Sequence, residues 1–67
     1  MLEVNFLNSI GTHICNAQMW SVPRVGELVY LRCESKRFRV ENVVWDVQPV
    51  STNIVNQYVT IYVCEVA

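Results

Sequence analysis

The alternation of apolar residues changes phase within one strand-like segment in the middle of the chain. Phe38 and Val40 are apolar at even positions. Further along, Val43 and Trp45 are apolar at odd ones. Because successive side chains point to opposite faces of a strand, a straight strand would turn one of these pairs away from the core. The phase change therefore predicts a β-bulge or sharp bend near Glu41-Asn42, and bent strands allow a small sheet to curl onto itself.

A proline and a glycine three positions apart form a corner ahead of this segment. Pro23 fixes its own φ, and Gly26 can adopt a positive φ, so the turn is specified before any tertiary contact forms. We expect Glu27 to stabilise the corner through hydrogen bonds.

The rest of the chain predicts short strands joined by turns. Gly11 supplies a positive φ for the first turn, and the polar residues 34–36 close a hairpin. A helix around residues 12–20 is the alternative for the second segment. The five predicted strands are Met1–Leu7, His13–Met19, Glu27–Cys33, Arg37–Val47 and Tyr58–Val66. We expect one all-β domain over residues 1–67, a small curled five-stranded antiparallel sheet in meander order or an SH3-like or OB-like barrel.

Composition points to association with a partner. The chain has 67 residues, of which 52% are apolar and 16% charged. One small core cannot cover so much apolar surface, so we expect a homo-oligomer or an obligate partner protein.

The net charge of −1 argues against binding nucleic acid through overall charge. No apolar run reaches the roughly 20 residues of a membrane helix, so we expect no membrane association and a cytoplasmic location.

The residues that most often carry chemistry are scattered. The three cysteines and His13 match the number of ligands in a Cys₃His zinc site, but no Cys-x₂₋₄-Cys pair is present. Buried, reduced thiols are the prediction. The carboxylates occur singly, and no nucleophile motif or phosphate-binding loop is evident. We therefore expect no metal, no cofactor and no enzymatic activity.

Basic residues are confined to the corner and the central hairpin. Arg37 and Arg39 share a strand face, and Arg32 lies on the facing arm, so their guanidinium groups can converge on an anion. Tyr30 and Arg24 complete this candidate site, Tyr30 by stacking on a base. The competing interpretation is a solvated hairpin end, with residues 34 and 41 pairing some of the charges.

A second candidate surface combines tyrosines with a loop. Tyr58 and Tyr62 alternate with the core residues of the last strand, and Ile54 and Val55 interrupt a polar loop. Tyrosine is enriched at the centre of protein interfaces. These residues predict a surface that binds a partner protein.

Two segments carry a resemblance to a group of proteins. The segments are Pro23-Arg24-Val25-Gly26-Glu27-Leu28-Val29 and Phe38-Arg39-Val40-Glu41-Asn42-Val43-Val44-Trp45-Asp46, followed by a closing valine-rich strand. Together they resemble small phage and prophage proteins with a Pro-x-x-Gly-Glu-x-Val segment. The resemblance implies a β-barrel and transfers no catalytic residue. It also implies an accessory or anti-defence factor in the host cytoplasm, one that occludes a host protein or sequesters a small nucleotide. Occlusion of a host protein is the leading hypothesis, and binding of a nucleotide or nucleic acid by the basic hairpin is the alternative.

Overall fold

Five strands make up the regular structure of the chain. A computed structural model describes residues 1–47 and 58–66, and these contain no helix. The strands are β1 (Leu2–Asn8), β2 (His13–Met19), β3 (Leu28–Leu31), β4 (Lys36–Asp46) and β5 (Tyr58–Glu65). The all-β prediction is confirmed, and β2 replaces the alternative helix. Within the described ranges there is also no helix long and apolar enough to cross a membrane.

The strands form one sheet in the order β2-β1-β5-β4-β3, curled through 222° into a half-barrel. The curl of the sheet agrees with the prediction, but the strand order and the direction of one strand pair do not. β5 lies between β1 and β4 instead of at the end of a meander, and it runs parallel to β1. Alternation along a strand is the same for parallel and antiparallel neighbours, so the sequence pattern does not distinguish them.

The inner face of the half-barrel carries the core. Val4 lies opposite Val59, and Phe6 lies opposite Ile61, so β1 and β5 bury matching apolar rows. Burial of each such side chain stabilises the fold by roughly 1.5–3 kcal/mol. The buried residues are Val4, Phe6, Leu31, Phe38, Val40, Val59, Ile61 and Val63.

The predicted corner and the predicted bulge contact each other. The register of β4 against β5 shifts between Val40 and Asn42, as the phase change predicts. Gly26 has a φ of +93° and donates its N–H to the carbonyl of Val40 at 2.8 Å, and Val40 donates to the carbonyl of Glu27 at 2.9 Å. The Glu27 carboxylate also accepts the N–H of Arg24. The corner is thus held by Glu27, as expected, and is anchored on the bend.

Two tight turns complete the sheet. Gly11 adopts the predicted positive φ, +91°, between β1 and β2. The Asn8 carboxamide oxygen of the same turn accepts the N–H of Thr12 at 2.9 Å. Between β3 and β4, Ser35 has a φ of +53° and donates its N–H to the carbonyl of Arg32 at 3.2 Å. A positive φ at a serine is uncommon and is not evident from the sequence.

Candidate binding surface

The convex side of the half-barrel, here called the outer face, is formed by the side chains that alternate with the core. On β5 these are Tyr58, Thr60, Tyr62 and Cys64, which alternate with the buried Val59, Ile61 and Val63. The outer face exposes four large apolar or aromatic side chains: Leu28 (54% exposed), Tyr30 (56%), Val44 (46%) and Tyr58 (39%). Such an accumulation on one face of a small sheet is typical of a surface that contacts something else.

The two tyrosines of β5 lie on this face, as their alternation predicts, but their surroundings differ. Tyr62 is half-buried between Leu7 of β1 and Asn42 of β4. Tyr58 is exposed, with Glu3 as its register partner on one side. The Tyr58 ring is therefore accessible to a partner, whereas the Tyr62 ring is partly covered by the side chains beside it.

The opposite end of the outer face is basic. Tyr30 lies directly opposite Arg37, and Leu28 lies directly opposite Arg39, so two guanidinium groups stand beside one ring and one aliphatic side chain. Directly opposed side chains on a sheet have Cβ atoms roughly 4.5–5.5 Å apart and are in contact. Tyr30, Arg37 and Arg39 thus lie on the same outer face as the two tyrosines of β5, although the sequence suggested two separate sites.

No carboxylate within residues 1–47 and 58–66 forms an ion pair with Arg37 or Arg39. Glu41, a predicted pairing carboxylate, instead accepts a hydrogen bond at its Oε1 from the Ser9 hydroxyl at 2.7 Å. Among residues 1–47 and 58–66, the only ion pair joins Lys36 to Glu65 at 3.3 Å. Arg37 and Arg39 accordingly keep their charge available to a ligand or partner.

The other two arginines of the candidate anion site lie elsewhere. Arg32 follows the end of β3 and lines a cavity together with Tyr30 and Cys33. Arg24 lies in the corner and lines a different cavity of about 360 Å³ with Trp45. Of the five residues predicted to bind an anion, Tyr30, Arg37 and Arg39 lie together on the outer face. Arg32 lies just after the end of β3, and Arg24 is at the corner.

The two tryptophans lie at the corner or in the segment that leads to it. Trp45 lines the corner cavity with Pro23, and half of its surface is exposed. Trp20 is 83% exposed in the chain between β2 and the corner. Ile54 and Val55, the loop part of the predicted partner surface, lie outside the described residues.

Leu28 and Val44 belong to the outer face, but the sequence interpretation did not select them. A signal was present: residues 28–31 are apolar at every position, so one pair must face away from the core. Val44 was not selected because the alternation argument used only its odd-numbered apolar neighbours, Val43 and Trp45. Strands that are apolar on both sides are the sequence signature of such a surface.

The cysteines depart in part from the expected buried thiols. Cys15 and Cys64 are half-buried, whereas Cys33 is exposed. The His13 ring shares a hydrogen bond with Asn16 on the same strand. Nowhere in the described parts of the chain do three His, Cys, Asp or Glu side chains group closely enough to hold a metal ion.

Comparison with known proteins does not test the resemblance to phage proteins, which stays a prediction. No protein-family model matches the chain, and neither the curated proteins nor the solved structures contain a significant match.

Proposed function

We propose that this chain is a non-enzymatic, phage-type accessory protein that binds a host protein through the outer face of its sheet and occludes it. The observation that carries the proposal is the exposure of Leu28, Tyr30, Val44 and Tyr58 on the same face. The sequence resemblance given above supports the phage-type role, and an anti-defence inhibitor is the form of it that we favour.

The chemistry of the face indicates what kind of partner it would accept. Its exposed apolar and aromatic side chains lie in two groups, Leu28 and Tyr30 on β3 and Val44 and Tyr58 towards the other end of the face. Tyrosine side chains have few rotatable bonds and contribute contact area at low entropic cost. Arg37 and Arg39 lie at one end and carry charges that no carboxylate of the described residues neutralises. The partner surface would therefore combine apolar patches with carboxylates that face Arg37 and Arg39, since complementary charges fix orientation and suppress wrong partners.

Capture from a bacterial lysate with matched variants tests the proposal. Val44→Ser and Tyr58→Ser alter exposed outer-face side chains, so both should lose the captured host protein and keep the fold. Trp20→Ser, which removes an even more exposed aromatic outside the sheet, is the control and should retain it. Equal capture by all four proteins would show that the outer face is not the binding surface.

A second candidate function rests on one observation, the direct opposition of Tyr30 and Arg37. An aromatic ring beside a guanidinium group can stack on a base and contact its phosphate. A binding screen against cyclic and linear nucleotides and short single strands separates the two functions. If Arg37→Glu abolishes a nucleotide affinity that Tyr58→Ser leaves intact, nucleotide binding replaces the protein partner as the function.

A further inference from the structure

The half-barrel is open along a seam between its two edge strands. β2 and β3 lie at opposite ends of the strand order and do not pair with each other. A cavity of about 320 Å³ lies along this seam, with inner-face residues such as Phe6 and Leu31 in its wall. The seam is therefore the place where a link between the edges would close the curled sheet.

Two cysteine side chains line this cavity from opposite sides. Cys15 belongs to β2, is half-buried and lies opposite the core residue Phe6. Cys33 is exposed and lies in the turn that follows β3. Both residues line the seam cavity, one from each edge strand's side, and the Cys33 thiol contributes to the raised pKa of the Cys15 thiol.

The third cysteine is placed differently. Cys64 lies opposite Arg39, on the outer face, and its thiol is 3.8 Å from the carbonyl oxygen of Glu65. It does not line the seam cavity. The geometry thus selects one of the three cysteine pairs.

We propose that Cys15 and Cys33 form a reversible disulfide site that joins the two edges of the half-barrel. The oxidant is a small-molecule disulfide of the glutathione class. The more exposed Cys33 loses its proton, and its thiolate attacks the oxidant, which forms a mixed disulfide and releases one small thiolate.

The second exchange completes the bond. The Cys15 thiolate attacks the Cys33 sulfur and displaces the remaining half of the oxidant as a second thiolate. Two protein thiols are oxidised, one small-molecule disulfide is reduced, and the two protons from the protein reside on the two released thiols. The product connects β2 to the β3–β4 hairpin, elements that share no backbone pairing.

Oxidation of the intact chain followed by alkylation tests this site. The reduced protein is incubated with oxidised glutathione under native conditions and then treated with iodoacetamide. Trypsin would leave the cysteines in three different peptides, residues 1–24, 33–36 and 40–67, because cleavage follows lysine and arginine. We expect the first two peptides to be disulfide-linked within one chain and Cys64 to be alkylated.

Single substitutions make the result specific. Cys64→Ser should form the same intramolecular link, whereas Cys33→Ser, at an exposed position, should form none. A link that includes Cys64, links only between chains, or three alkylated cysteines after a treatment that oxidises the denatured chain would each overturn the proposal. The test needs no partner protein, so its outcome is independent of the proposed function.

Discussion

The backbone N–H of Gly26 donates to the carbonyl of Val40 at 2.8 Å, at the residue where the register of β4 begins to shift. The return bond from Val40 to Glu27, at 2.9 Å, closes a short two-bond bridge. A turn specified by local sequence thus supports a bend in a strand 14 residues away. Since the bend lets the inner face close around the core, the corner contributes to the fold beyond its own conformation.

Gly26→Ala should destabilise the protein by about 1 kcal/mol. A φ of +93° is unfavourable for an L-residue by roughly 1–2 kcal/mol, and the lower entropy of the unfolded alanine chain offsets part of this. No neighbouring atom would clash with the added Cβ, so the loss is one of backbone conformation. Urea unfolding measures the free energy, with the exposed Val25→Ala as a control that should change little. An unchanged midpoint for Gly26→Ala would contradict the role of the corner.

Ser35→Gly should stabilise the protein, by about 0.5–1 kcal/mol. Ser35 holds a φ of +53°, which glycine adopts without the steric cost that a side chain imposes. Thermal unfolding of Ser35→Gly and Ser35→Ala distinguishes this effect from loss of the hydroxyl. Only the glycine variant should melt above the parent, and a lower melting temperature for it would refute the expectation.

Ile61→Val should cost about 1 kcal/mol, whereas Val44→Ala should change stability by less than about 0.5 kcal/mol. Ile61 is completely buried on the inner face of β5, and Val44 is 46% exposed on the outer face. Both changes remove apolar atoms, so a difference between the two losses of stability reports whether the residue lies on the inner or the outer face of the sheet. Chemical denaturation of the two variants provides the measurement. Similar losses would mean that the outer face is also packed.

The reduced protein should lose stability between pH 9 and about pH 11, in part because of Cys15. Burial, followed by the adjacent Cys33 thiol and the Glu34 charge, raises the pKa of the Cys15 thiol from 9.0 to about 11. In this interval the unfolded chain has released the Cys15 proton and the folded chain retains it, so rising pH favours unfolding. Unfolding free energies of the parent and Cys15→Ser, measured with reductant from pH 8 to 11, should converge as the pH rises. Parallel curves would contradict the shift.

The sequence pattern predicted the curl of the sheet better than its connectivity. The phase change between Phe38 and Trp45 located the bulge, because alternation reports the face of each residue. The parallel neighbour of β1 was not predictable in this way. Strand order depends on contacts between distant segments, and the buried row of β5 would suit an antiparallel neighbour equally well.

The candidate surface was predictable only in part, because the sequence interpretation selected Tyr30 and Tyr58 but not Leu28 and Val44. Alternation placed Tyr58, Arg37 and Arg39 away from the core correctly. That they share one face with Tyr30 follows from the registers in which β4 pairs with both β3 and β5, a property of the folded sheet. Likewise, the proximity of Cys15 and Cys33 arises only when the sheet curls.

The central position of β5 has a consequence for how the chain acquires its structure. Both of its neighbours, β1 and β4, precede it in sequence, and β1 is separated from it by 49 residues between Asn8 and Tyr58. Until β5 pairs with them, the apolar rows of β1 and β4 have no common partner. The β1–β2 and β3–β4 hairpins therefore keep exposed strand edges up to that point. Contacts this distant in sequence slow folding and favour misassociation. During synthesis on the ribosome, the sheet would therefore assemble only after Tyr58–Glu65 has left the exit tunnel.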